Sequence, residues 1–135
     1  MVPRTMLDSD VLSALMRRDA KVVERAREYL ESHAQLAFSL ITRYEILRGL
    51  KAKLATAQIA RFEEFCGTCQ VFPVTNEIVD RASDIYSDLH RKGALVGDAD
   101  ILIAATALTH DLVLSTNNAA HFGRINGLKF VSWLE

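Results

Sequence analysis

Three carboxylates in this chain stand where a carboxylate is costly. Asp8 ends the short apolar-tending segment Arg4–Leu7 and opens Asp8-Ser9-Asp10. Glu45 lies within Ile41-Thr42-Arg43-Tyr44-Glu45-Ile46-Leu47, one helical turn on from Ile41, and so projects from the margin of a packed face. Asp100 sits at the mouth of Ala99-Asp100-Ile101-Leu102-Ile103-Ala104-Ala105-Thr106-Ala107-Leu108, a run apolar on every side. An unpaired charge in such surroundings costs free energy. The three acids resolve this together if they meet and share a hard cation, Mg²⁺ or Mn²⁺, which prefers oxygen ligands. Such an ion lowers the pKa of a bound water and neutralises charge on a phosphoryl oxygen, the equipment for phosphodiester hydrolysis without a nucleophilic side chain.

Plainer roles compete at each position. Asp8 can cap the helix that follows it. Glu45 can pair with Arg43 or Arg48. Asp98 and Asp100 are two residues apart, so on a regular helix they face about 200° away from each other and do not enter one pocket together. Asp98, just after Gly97, suits an N-cap, which leaves Asp100 as the ligand. Cys66 and Cys69 form a single Cys-x-x-Cys with no second pair of Cys or His at metal-site spacing, and His33, His90, His110 and His121 are scattered singly. They read as two ordinary thiols at a helix end.

The elements that must position these residues follow from periodicity and breakers. A buried first strand over Arg4–Leu7 carries the acidic cluster at its carboxyl end, with a helix through Arg17. Ala20–Glu31 is amphipathic at helical spacing. Leu36–Phe38 reads as a second strand. Ser39 caps a helix that stops at Gly49, and another helix runs from Lys53 to about Cys66. Gln70–Val74 is a third strand, Thr75 caps a helix over Asn76–Lys92, and Gly93 breaks it. The helix through Asp100 is apolar all round and therefore buried. Leu112–Leu114 is a fourth strand, 115–127 a loop with one helical turn, and Leu128–Val131 a last strand. Strands alternating with helices imply right-handed crossovers and a mostly parallel sheet of four to five strands covered on both faces. The expectation is one three-layer α/β/α domain over 1–135. Ligands of such sheets bind beyond the carboxyl ends of strands, which singles out Asp8 and Asp10 and, after the fourth strand, Thr116, Asn117 and Asn118.

The 135 residues carry a net charge of −1, and half of them are hydrophobic. This excludes a generically basic nucleic-acid binder. No apolar run reaches the roughly 18 residues of a membrane span, and the first residues do not read as a signal peptide, so a cytoplasmic protein is expected.

Four segments together resemble the PIN-domain proteins, and among them the VapC-type toxins, over essentially the whole chain. They are Met6-Leu7-Asp8-Ser9-Asp10-Val11-Leu12, Ser39 through Gly49, Gly97 through Ala105, and Ser115-Thr116-Asn117-Asn118 followed by Phe122. The resemblance implies a ribonuclease dependent on Mg²⁺ or Mn²⁺, with Asp8, Glu45 and Asp100 as the metal-binding acids and with hydroxyls of Ser9 and Thr116 supporting them. It further implies a homodimer and a small antitoxin that inserts a segment into the active-site groove. Two departures stand out. Ser9 and Asp10 replace the more usual threonine and asparagine of the first motif, and the loop Thr116–Phe122 lacks the fourth acid that many members carry. Asn117 or Asn118 can lend a neutral oxygen there, and Asp10 or Asp98 can make up the missing charge. Arg43 and Arg48 are candidates for contact with the RNA backbone.

Two rival readings use the same residues. In a haloacid-dehalogenase-like phosphatase, Asp8-Ser9-Asp10 supplies a nucleophile and an acid/base, with Gly97-Asp98 as a later motif; that reading gives Glu45 and the Thr-Asn-Asn loop no task. A non-catalytic PIN-like binding module is suggested by the missing acid.

Overall fold

The computed structural model describes residues 2–135. Five strands form one sheet in the order β3-β2-β1-β4-β5, and every pairing is parallel. The strands are β1 (Thr5–Leu7), β2 (Ala37–Ser39), β3 (Gln70–Phe72), β4 (Val113–Ser115) and β5 (Phe130–Val131). Seven helices are interleaved among the described residues: α1 (Ser9–Met16), α2 (Ala20–Ser32), α3 (Leu40–Ala52), α4 (Thr56–Cys66), α5 (Asn76–Arg91), α6 (Asp98–Thr109) and α7 (Ala119–Phe122). The expected sheet of four to five mostly parallel strands is thus five strands, all parallel.

Alternation along the strands sends neighbouring side chains to opposite faces. Met6 and Ala37 join a core with Ile78, Ala82 and Leu89 of α5, the buried length of α6, Leu114 and Phe122. Leu7 and Phe38 join a second core with Val11 and Leu12 of α1, Val22, Ala26 and Tyr29 of α2, Leu47, Phe62 and Trp133. Two apolar layers back one sheet, as both-face coverage of parallel strands requires. No helix among the described residues is long and apolar enough to cross a membrane.

Element ends differ from expectation where a local signal was outweighed. The helix over Leu40 does not stop at Gly49. It runs to Ala52, and the reversal falls at Leu54, whose φ is +55°. Gly49 stays helical with no atom near its missing Cβ, so its lack of a side chain opens space instead of ending the helix. The next helix accordingly begins at Thr56, not Lys53. β3 ends at Phe72, because Pro73 has no N–H to donate to a ladder. Gly97, not Asp98, is the N-cap of α6, and Asp98 is its first helical residue. Ser39 and Thr75 do cap α3 and α5, accepting from Ile41 N and Ile78 N.

In the sheet order, the chain leaves β1 toward β2 and β3, then returns to the other side of β1 for β4 and β5. The carboxyl ends of β1 and β4 therefore border the topological switch point, the crevice where open α/β sheets bind ligands. Asp8 and Thr116 are the first residues beyond those two strands.

Candidate active site

Asp8 lies at the centre of the crevice and is 6% exposed. It caps α1 and faces the site at once: Oδ1 accepts from Ser9 N at 2.8 Å, and Oδ2 accepts from the Thr116 hydroxyl at 2.7 Å. Capping α1 with one oxygen therefore leaves the other facing the loop after β4. Burial pushes the Asp8 carboxyl from 3.8 up to about 7. The hydrogen bonds from Thr116 and Ser9 oppose the rise, while the charges of Asp10 and Asp100 add to it. Carboxylates are thus crowded around a poorly hydrated acid, a local excess of negative charge that a cation relieves.

Glu45 reaches the site from α3, half-buried, with its Oε1 accepting from the Ser9 hydroxyl. Of the two arginines expected as its partners, Arg48 approaches Oε2 at 3.8 Å, whereas Arg43 is taken by Glu63 at 2.6 Å. Asp100 projects from the first turn of α6, where backbone N–H groups favour an anion, and its Oδ2 lies 2.7 Å from His121 Nδ1. Asp10 faces the loop after β4. Its Oδ2 accepts from Asn117 N at 2.9 Å and its Oδ1 from Val11 N at 2.7 Å. The Thr116 hydroxyl, besides donating to Asp8, accepts from Asn118 N at 3.0 Å. Ser9 and Thr116 thus each tie a carboxylate to a neighbouring element, and Asp10 fixes the loop.

Asp98 stands apart. It lines a shallow cleft with Val79, Ala82, Tyr86 and Leu102 on the α5 side of α6, as expected from its angular offset to Asp100. That position also separates it from Asp8 and Asp10, and so removes the later motif that the phosphatase reading needed.

Among the described residues no three His, Cys, Asp or Glu side chains stand close enough to enclose an ion as they are. The donor set nevertheless fits a hard divalent cation. Mg²⁺ keeps several waters and is commonly held by one or two carboxylates, not by an all-protein cage. Asp8 with Asp100 meets that need, since both present oxygens and the charge of Asp100 already acts on Asp8.

A cleft of about 550 Å³ opens from this site between α1, α3 and α4. Ser9, Asp10 and Glu45 form one end, Ile46, Leu50 and Phe62 line it, and Arg17, Lys53 and Arg61 border it. None of these three cations makes a salt bridge among the described residues. Arg43 and Arg48, the arginines singled out from the sequence, do not line it; Arg48 instead lies over the Tyr44 ring at 5.2 Å. The three bordering cations come from three separate stretches of chain, so no local pattern betrayed them. His121 was likewise passed over. Its one signal was its place three residues after Asn118 in the turn before Phe122, which put both on one side of that turn.

This arrangement, acids at the switch point of a five-stranded parallel sheet with a threonine-anchored loop beside them, is that of a PIN domain. The PIN domain family matches residues 5–128, and the chain belongs to it. It is 35% identical over 127 residues to Ribonuclease VapC10 of Mycobacterium tuberculosis, covering 92% of this chain and 90% of that one. It is also 27% identical over 130 residues to the tRNA(fMet)-specific endonuclease VapC of Shigella flexneri, covering 95% and 96%. The crystal structure of DNA-bound VapBC from Salmonella typhimurium superposes with a TM-score of 0.88 at 28% identity, over 98% of this chain and 99% of that one.

Proposed function

We infer that this PIN-domain protein is a metal-dependent endoribonuclease and the toxin of a toxin–antitoxin pair, working with Mg²⁺ or Mn²⁺. The observation that carries the reading is Asp8, a buried carboxyl raised to about 7 with Asp10 and Asp100 adding to the rise at the sheet's switch point. The ribonuclease VapC relatives supply the substrate class. Asp8, Asp100 and Glu45 would hold the ion. When bound, it supplies an activated water and charge neutralisation at the phosphoryl group.

The chain's own residues do the positioning. Thr116 and Ser9 N–H fix both oxygens of Asp8, and the Ser9 hydroxyl fixes Glu45, so the acids keep their orientation without substrate. Asp10 holds the loop at Asn117, which keeps Thr116 and Asn118 at the site. Arg17, Lys53 and Arg61 offer unpaired positive charge along the cleft, a track for RNA phosphates in a protein whose net charge is −1. Arg48, half-exposed beside Glu45, can join them.

A small antitoxin is the expected partner, in keeping with the likeness to a VapBC complex. A second copy of the chain is the other: half-exposed Val79 and Tyr86 on α5 leave an apolar strip. The test is cleavage of RNA with and without Mn²⁺. Asp100→Asn should abolish metal-dependent cleavage and leave the circular dichroism spectrum unchanged; a folded variant cleaving at the full rate would refute the assignment.

A further inference from the structure

The loop from Thr116 to Phe122 carries no carboxylate, yet it is held against the acids at both ends. Thr116 is fastened to Asp8, and Phe122, with no exposed surface, anchors the α7 turn in the core around α6. His121 lies between these anchors and is turned toward Asp100, with Nδ1 2.7 Å from Asp100 Oδ2. The Asn118 amide group lies 2.9 Å from the same nitrogen. A carboxylate only accepts and an amide N–H only donates. Nδ1 is therefore the donor when it pairs with Asp100 and the acceptor when it pairs with the Asn118 amide nitrogen, according to the ring's tautomer.

We propose that His121 is a ligand of the cation held by Asp8 and Asp100, a nitrogen donor standing where an acid of the loop is missing. The inference rests on the metal-dependent reading above. Two cis ligands on an octahedral ion at about 2.1 Å lie about 3 Å apart. The Nδ1–Oδ2 separation of 2.7 Å is therefore close to that of two groups sharing one ion, and a turn of the imidazole, with Asp8 drawing in, would aim the three at it. The ring is 41% exposed, so its outer edge is open to solvent and substrate while its inner nitrogen faces Asp100. Imidazole is a softer donor than carboxylate, and first-row transition cations bind it better than Mg²⁺ does. His121 therefore weights the site away from Mg²⁺.

Nitrogen coupling is a direct readout, because the other histidines lie at other places in the fold. His33 bonds Val2 O ahead of β1, His90 is in the last turn of α5, and His110 caps the end of α6 opposite Asp100. The experiment is Mn²⁺ titration of the purified protein, His121→Ala and His121→Asp, followed by electron paramagnetic resonance, with pulsed detection of ¹⁴N coupling and with Mg²⁺ as competitor. Wild type should show imidazole coupling. His121→Ala should lose it and bind Mn²⁺ on the order of tenfold more weakly, with a smaller loss for Mg²⁺. His121→Asp should also lose it and narrow the preference for Mn²⁺ over Mg²⁺. Bound Mn²⁺ without imidazole coupling in wild type overturns the inference and leaves the metal-dependent reading intact. No Mn²⁺ binding to wild type at millimolar concentration overturns both. The wild-type spectrum decides the matter even where a variant fails to fold.

Discussion

Neutralising Asp8 should stabilise the metal-free protein, in a manner set by pH. The Asp8 carboxyl is raised from 3.8 to about 7, chiefly by burial. The stability tied to this group is therefore fully present below the unfolded value and is lost as the pH rises toward the folded one. A displacement of about 3 pH units corresponds to roughly 4 kcal/mol at full ionisation. Because Asp8 is almost wholly buried, little of this is screened by solvent. Asp8→Asn keeps the shape and an oxygen acceptor for Ser9 N–H but never ionises. With chelator present, the variant should match wild type near pH 4 and exceed it at pH 8.5 by roughly 2–4 kcal/mol, a Tm higher by on the order of 10 °C. Added Mn²⁺ should reverse the order, since an ion that binds only the native wild type stabilises it by mass action. Thermal unfolding across pH 4–8.5, with chelator and with Mn²⁺, measures both arms. Parallel pH curves for the two proteins in chelator would refute the reasoning, because Asp8 would then carry no penalty.

Three further outcomes follow from the same geometry. Thr116→Val leaves Asp8 Oδ2 and Asn118 N without their partner and should cost about 1–3 kcal/mol by denaturant unfolding, with a weaker Mn²⁺-induced rise in Tm. Asp10→Ala releases Asn117 N and should lower kcat for RNA cleavage more than it changes Mn²⁺ affinity, which single-turnover kinetics and metal titration separate. Arg17→Ala, Lys53→Ala and Arg61→Ala should each raise KM and flatten the salt dependence of RNA binding by roughly 0.7 in log–log slope for each phosphate no longer neutralised. Unchanged slopes in all three would place the RNA elsewhere.

Much of this protein was legible in one dimension. Where a residue's role depends on neighbours within one turn or one strand, the sequence determined it. Ser39 and Thr75 cap their helices because a β-region hydroxyl beside free N–H groups needs nothing distant. The all-round apolar run from Ile101 to Ala107 dictated a helix buried in the core. The acids Asp8, Glu45 and Asp100 were conspicuous because charge interrupts or borders apolar pattern at each. What the tertiary structure alone decided are relations across the sheet. Thr116 reaches Asp8 over 108 positions of sequence, and His121 reaches Asp100 over 21. Arg17, Lys53 and Arg61 share a cleft, whereas Arg43 is taken by Glu63. Gly49 continues a helix that its residue type alone would have ended, since the packing of α3 against the three helices α1, α4 and α6 outweighs about 1 kcal/mol of local propensity. Local chemistry is written in spacing, but the partners of a side chain are set by which strands lie side by side. In this chain the return of β4 to the flank of β1 brings the final loop to the first acid.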